Sequence, residues 1–257
     1  MFSERARNVL FYPERPSKHS VIHKIMNYLD YGITRNIKKK YRLIISWEDT
    51  TYRRTMPFLE NQTHPILNSK CKDISKVKVD EVFNGTFGYC LNVDPTKFIG
   101  DCLKKSNLNA VKDGVIVKSP VEKIAETSVY QKLINNVTSD KKYEDIRVPI
   151  FRQTIPLIFL KYRSAKKRFS DYFEYSVIKS PLEVFSTEEV EKIITFCEQI
   201  GMDYGELDVL RDRETNEIYI LDANNTPWGP PEDLAKTDTE KVIKIFSETF
   251  DKEFFHT

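Results

Sequence analysis

The stretch Asp203-Tyr204-Gly205-Glu206-Leu207-Asp208-Val209-Leu210, then Arg211-Asp212-Arg213-Glu214-Thr215-Asn216-Glu217, then Ile218-Tyr219-Ile220-Leu221-Asp222-Ala223-Asn224-Asn225-Thr226-Pro227-Trp228, decides how the chain is read. Two apolar runs of strand length flank a charged, turn-like insert, which is the pattern of a β-hairpin. With Glu214-Thr215-Asn216 as a three-residue loop, Asn216 takes the left-handed position such loops need. Arg213 then pairs with Glu217, Leu210 with Ile220, Asp208 with Asp222, and Glu206 with Asn224. Side chains alternate faces along a strand, so these pairs share one face. Two ionised carboxylates roughly 5 Å apart repel by roughly 3 kcal/mol at an effective dielectric of about 20. A shared proton or a bound cation compensates such a pair. Oxygen donors with an amide oxygen beside them suit magnesium or manganese better than zinc. The alternative is a solvent-facing hairpin with ordinary surface acids.

A chain of 257 residues holds one or two domains and a sizeable core. Forty basic residues against 38 acidic ones give no global field of the kind that binds nucleic acid. The N-terminal part is locally basic, with Arg5, Arg7, Arg15, Lys18, Lys24, Arg35, Lys38, Lys39, Lys40 and Arg42. Such a run is a solvated face, or one that meets an acidic substrate or anionic lipid. Cys71, Cys90, Cys102 and Cys197 show no C-x-x-C spacing, as expected in a reducing cytosol. The first residues carry no signal-peptide apolar core, and the longest apolar run, Ile155 to Leu160, is too short to span a bilayer.

Val21, Ile22, Ile25, Met26 and Leu29 recur at helical spacing, so one amphipathic helix is expected there, ending near Gly32. His19 and His23 are four apart, but no third ligand stands near, and a structural or surface role is expected. Leu43 to Trp47 reads as a buried strand, and the polar loop after it, Glu48 to Arg54, is a natural place for substrate contacts. A short helix follows over Val77 to Phe83. Gly100 to Ser106 and Gly114 to Val117 read as strands around a loop, Ser128 to Ile134 as an apolar strand, and Tyr143 to Phe151 and Ile155 to Lys161 as an antiparallel pair. Ser186-Thr187-Glu188-Glu189 is a capping box opening a helix that stops at Gly201, and Thr237-Asp238-Thr239-Glu240 reads as a second box.

Taken together, four pieces resemble the ATP-grasp superfamily, and within it the glutathione-synthetase-like carboxylate–amine ligases. Lys105-Ser106 resembles the Lys-Pro that ends a strand before the phosphate-covering loop. Ser128-Val129-Tyr130-Gln131-Lys132-Leu133 resembles the strand joining the two subdomains. Asp145-Ile146-Arg147-Val148 resembles a recurrent strand of these ligases, with Lys161 or Arg163 as the next basic residue. Asp208, Asp222 and Asn224, followed by Thr226-Pro227, resemble the metal hairpin. Arg168-Phe169-Ser170-Asp171 resembles a further element but lacks its Asn. The covering loop has Gly114 as its one glycine, so Asn107 and Asn109 are expected to supply donors in place of free backbone.

The resemblance covers roughly residues 70–231. It implies an α+β fold in which two α+β subdomains with antiparallel sheets grip ATP. The expected boundaries are a short N-terminal α/β extension over 1–66, one subdomain over 67–130, and a second, with the metal hairpin, over 131–257. The extension looks too short for the full preceding domain of many such enzymes. By position, Lys76 and Lys105 are expected on the phosphates, and Gln131, Lys132 and Leu133 on adenine. Asp208, Asp222 and Asn224 are expected on Mg2+ or Mn2+, and Arg147 and Lys161 on the transferring phosphoryl group. Two departures stand out: Asp222 where Glu is usual, and Glu206 where several ligases place Arg. Glu206 is expected to act as a third ligand or a base. The implied activity is an ATP-dependent ligase joining a carboxylate to an amine or similar nucleophile, with a small-molecule, peptide or glycan acceptor, in the cytoplasm. Alternatives are a kinase acting on a hydroxyl, which Glu206 favours, and a nucleotide-binding protein without chemistry.

Overall fold

A computed structural model describes residues 7–111, 113–164 and 173–256. Its first layer is a four-stranded parallel sheet of Asn8–Pro13 (β1), Gly32–Thr34 (β2), Leu43–Trp47 (β3) and Ile66–Leu67 (β4), in the order β2-β1-β3-β4. Val21–Tyr28 (α1) packs on it by the expected face, with Val21, Ile22, Ile25 and Met26 buried and the Ser20 hydroxyl accepting from the His23 N–H. The short helix Pro57–Glu60 (α2) lies between β3 and β4. The stretch read as a polar, basic extension with one helix and one strand thus holds three further strands. Val9, Leu10 and Phe11 of β1 are wholly buried, as a central parallel strand requires.

Lys76–Phe87 (α3) leads into a three-stranded antiparallel sheet of Gly100–Ser106 (β5), Val115–Ser119 (β6) and Ser128–Lys132 (β7), ordered β6-β5-β7. Lys142–Phe151 (β8), Ile158–Ser164 (β9), Tyr175–Lys179 (β10), Tyr204–Arg211 (β11) and Ile218–Asn224 (β12) form a five-stranded antiparallel sheet, ordered β10-β9-β8-β11-β12. Pro181–Val184 (α4), Thr187–Ile200 (α5) and Lys236–Phe255 (α6) complete the chain. The two antiparallel sheets with their helices are the expected α+β architecture. Arg168 to Asp171 lie outside the described residues.

α5 starts and stops where the sequence dictates. Ser186 and Glu189 close a capping box, and Gly201 ends the helix at φ 77°, a backbone region that a side chain disfavours. The second box is not formed. α6 begins at Lys236 behind Ala235, with no side-chain cap, so Thr237 lies inside its first turn.

The two faces of the five-stranded sheet have different fates. Ile146, Val148, Ile150, Leu207 and Val209 point into a core shared with Phe83 of α3 and Ile193, Phe196 and Cys197 of α5. On the other face Phe151, Phe159 and Tyr204 join Phe246 and Phe250 of α6 and the N-terminal layer. The Phe151 and Tyr204 rings meet edge-on at 5.3 Å. Beyond that apolar rung, the same face carries Arg147, Lys161, Glu206 and Asp208. Period-two alternation therefore puts a charged row directly over an aromatic one.

Candidate active site

The hairpin of β11 and β12 brings Glu206 opposite Asn224 and Asp208 opposite Asp222, as the sequence reading expects. The pairings nearer the turn differ. The Asp212 N–H donates to the Glu217 carbonyl at 2.8 Å, so the loop holds four residues rather than three. Leu210 faces Tyr219, not Ile220. A bulge between Asp208 and Val209 absorbs the extra residue, which is Leu221, and restores the register at the acids. Asn216 does take the left-handed conformation, at φ 61°. Gly205 keeps the two strands close, since a Cβ there would sit 2.6 Å from the Asn224 carbonyl oxygen.

Asp208 and Asp222 open onto a cleft of about 740 Å³. Its walls come from all three layers: Asp49 to Tyr52 after β3, Lys76 at the start of α3, Lys105 of β5, Leu108 to Val111 with Asp113 and Gly114, Arg147 of β8, and Asp208, Asp222 and Asn224. A second cavity of about 240 Å³ adjoins it and is more apolar, lined by Leu91, Leu103, Gln131, Lys132, Leu133, Leu210 and Leu221 among others. Lys105 and Gly114 line both. The residues expected on adenine and those expected on phosphate and metal therefore fall into two joined compartments, with Lys105 at the junction. Burial pushes the Lys105 ammonium below its usual pKa, against the pull of Asp222.

Arg147 is directly opposite Asp208 across the β8–β11 ladder. Its Nε lies 3.2 Å from Asp208 Oδ1 and 3.2 Å from Glu206 Oε1. Glu206 is the main reason that the guanidinium is held still more firmly in its charged form. Glu206 itself is buried beneath Arg147 and off the walls of both cavities; burial pushes its carboxyl up to about 7. Lys161 is buried on the adjoining strand, where burial first and the nearby Arg147 second bring its ammonium down to about 8. Its Nζ lies 3.7 Å from the centre of the Phe173 ring, a cation–π contact. Arg163 is paired instead with Asp145 and stacks on the same ring.

Asp222 Oδ1 is buried and accepts no hydrogen bond; the Lys76 ammonium stands 3.2 Å from it. An oxygen-only set with a buried carboxylate oxygen that has an ammonium beside it and no hydrogen bond fits a hard divalent cation. Asn224 Oδ1 is oriented by the Thr226 N–H at 2.9 Å. Among the described residues no three His, Cys, Asp or Glu side chains gather as a metal cluster. His19 stacks on Trp228 and His23 meets Asn27, which agrees with their expected structural role.

The loop over the cleft is held by side chains that the sequence reading assigned to phosphate. Asn107 donates to Tyr52 Oη at 3.0 Å and its Oδ1 accepts from the Val77 N–H at 2.9 Å. Asn109 donates to the Ala223 carbonyl at 3.1 Å, while its own N–H donates to Thr51 Oγ1 at 2.9 Å. Their amide donors thus bind the loop to the N-terminal layer and to the β11–β12 hairpin. Thr51 and Tyr52 were read only as part of a polar loop. No sequence signal marks them as loop anchors, because their partners are more than 50 positions away, at separations of 58 and 55. Among the described residues no helix is long and apolar enough to cross a membrane.

No family model and no curated protein matches the sequence. Solved structures do match in fold. The ATP-grasp ligase PsnB complexed with minimal precursor, Mg and ADP superposes with a TM-score of 0.60 at 12% identity, over 97% of this chain and 99% of that one. The D-alanine–D-alanine ligase of Bacillus anthracis complexed with ATP gives 0.58 at 14% identity, over 97% and 95%. A RiPP-associated ATP-grasp ligase of Chryseobacterium gregarium, in complex with ADP and a leader and core peptide, gives 0.55 at 12% identity, over 96% of each chain. The order of strands, the joined cavities and these likenesses agree, and the chain has the ATP-grasp fold.

Proposed function

We propose that this chain is an ATP- and Mg2+-dependent ligase that activates a carboxylate as an acyl phosphate for capture by an amine or similar nucleophile. The observation that carries the proposal is the joined pair of cavities, one apolar and one lined by Asp208 and Asp222, with Lys105 between them. The apolar compartment suits adenine against Gln131, Lys132 and Leu133. Lys76 and Lys105 suit the phosphates as point charges. Asp208, Asp222 and Asn224 would hold the metal, with phosphate oxygens completing its shell, since magnesium commonly uses one or two carboxylates plus substrate phosphates. Bound there, Mg2+, or Mn2+ in its place, neutralises charge developing on the phosphates.

Arg147 lines the cleft beside Asp208, suited to the oxygens of the transferring phosphoryl group; Lys161, buried behind it and off the described walls of both cavities, adds positive charge to that edge. Glu206 fixes Arg147 from below. That position favours a ligase over a kinase: a carboxylate bound to Arg147 and off the cleft wall is poorly placed to take a proton from a hydroxyl. PsnB has also been solved with a precursor peptide, and the Chryseobacterium enzyme with a leader and core peptide, which supports a peptide acceptor here, placed against the Asp49–Tyr52 wall. A cytoplasmic setting suits the four free cysteines.

The test is incubation with γ-labelled ATP, a metabolite and peptide extract, and hydroxylamine. A ligase releases ADP and labelled inorganic phosphate and leaves a hydroxamate, because hydroxylamine captures the acyl phosphate. Label retained on a stable organic phosphate would show a kinase, and absence of ADP would show binding without chemistry.

A further inference from the structure

Lys76 opens α3, yet its side chain is buried and reaches into the cleft. Its Nζ donates to the Leu108 carbonyl at 2.8 Å and stands 3.2 Å from Asp222 Oδ1. That carboxylate oxygen is buried and has no hydrogen bond. The ammonium is therefore the counter-charge of Asp222, and it sits where a cation bound to that oxygen would sit. Two cations on one carboxylate oxygen in a part-buried site repel strongly. Lys105 and Arg147 also reach the cleft wall, but Arg147 is engaged by Glu206 and Asp208, and although Asp222 attracts Lys105, among the described residues only Lys76 forms an ion pair with it.

We propose that Lys76 is an internal counter-cation that holds Asp222 in the metal-free protein and must leave it for a divalent cation to bind. This inference rests on the metal reading above and adds to it a competition built into the chain. Leaving Asp222 swings the ammonium toward the phosphates. It also breaks the bond to Leu108, so the covering loop loses one tie when the metal arrives. Metal alone is then a weak ligand, whereas metal with nucleotide is a strong one, because the phosphates give the displaced ammonium a new partner. A fixed structural ion pair makes the opposite demand, since Asp222 would need Lys76 in every state.

The experiment measures Mn2+ binding without nucleotide, by paramagnetic resonance of free Mn2+, on wild type, Lys76→Met, Lys76→Arg and the control Lys78→Met, a half-buried lysine on the same helix that lines neither cavity. Lys76→Met should bind Mn2+ about tenfold more tightly than wild type, because one competing charge is gone. Lys76→Arg and Lys78→Met should stay within about twofold of wild type. Lys76→Met should also bind ATP more weakly at saturating Mn2+, a reversal of sign that general loosening of the fold would not produce. Independently of any variant, saturating Mn2+ on wild type should speed amide exchange at Asn109. Equal or weaker Mn2+ binding by Lys76→Met, or unchanged exchange, would overturn the inference. Should Asp208→Asn still lose the Mn2+ site in that case, the metal reading stands without it; no saturable Mn2+ binding in any variant overturns both.

Discussion

Leu221 and Asp222 are neighbours in the chain, yet both face the joined cavities, Leu221 in the apolar compartment and Asp222 in the polar one. Regular alternation would send one of them to the other face. The bulge opposite Asp208 and Val209 removes that constraint. One irregular step of β12 thus joins the base end of the proposed ligand to its metal end.

Leu221→Ala should weaken binding of both ADP and adenosine by about fivefold, the equivalent of losing part of a buried side chain. Asp222→Asn should weaken only the metal-dependent part. Titration calorimetry with adenosine, ADP and Mg-ADP separates the two; loss of adenosine binding in Asp222→Asn but not in Leu221→Ala would contradict the assignment of the compartments.

Lys104 and Lys105 are adjacent on β5, but Lys105 alone of the two lines the cavities. Lys105→Ala should weaken ATP binding by about tenfold or more, the scale of a charged hydrogen bond, and Lys104→Ala by much less. Similar losses in the two variants would mean that the phosphates meet this sheet elsewhere.

Lys161 carries a pH signature. Its ammonium has a pKa near 10.5 when solvated and about 8 in the fold. Between those values the unfolded chain binds a proton that the folded chain does not, so this group makes stability rise with pH from 8 to 10.5 and leaves it at a constant lower level below 8. Lys161→Met lacks this dependence. Below pH 8 it should exceed wild-type stability by up to about 3 kcal/mol, and the difference should close as pH approaches 10.5. Urea midpoints at pH 7 and pH 10 report it; a difference independent of pH would show that Lys161 is not held against its charge.

How much of this was legible in the sequence varies by element. The acid pairs of the hairpin were readable, although the loop was read one residue short and the bulge was not seen; each shifts the register by one, and the shifts cancel at Asp208 and Asp222. β1 was missed because Val9, Leu10 and Phe11 form a short continuous apolar run, which has no period to detect. β4 has two residues and exists only through its ladder to β3. Thr237 offered a cap that the helix did not use, since α6 starts at Lys236, before that residue. Lys76 was placed by position on the phosphates; its contact with Asp222 joins residues 146 positions apart, and no local pattern encodes that. Asn107 and Asn109 were assigned to a ligand because the partners that hold them lie in β12 and in the N-terminal layer.

The central claim is that Asp208 and Asp222 share one divalent cation with a bound nucleotide. Its most direct measurement is thermal stability of wild type and Asp208→Asn, each with and without Mg-ATP. The account predicts a rise in wild-type Tm with Mg-ATP through binding to the folded state. It predicts a variant that stays folded without ligand, because Glu206 still holds Arg147 when the Asp208 charge is gone, and that shows little or no rise with Mg-ATP. A variant that keeps the full metal-dependent rise would show that Asp208 is not a ligand and would contradict the account.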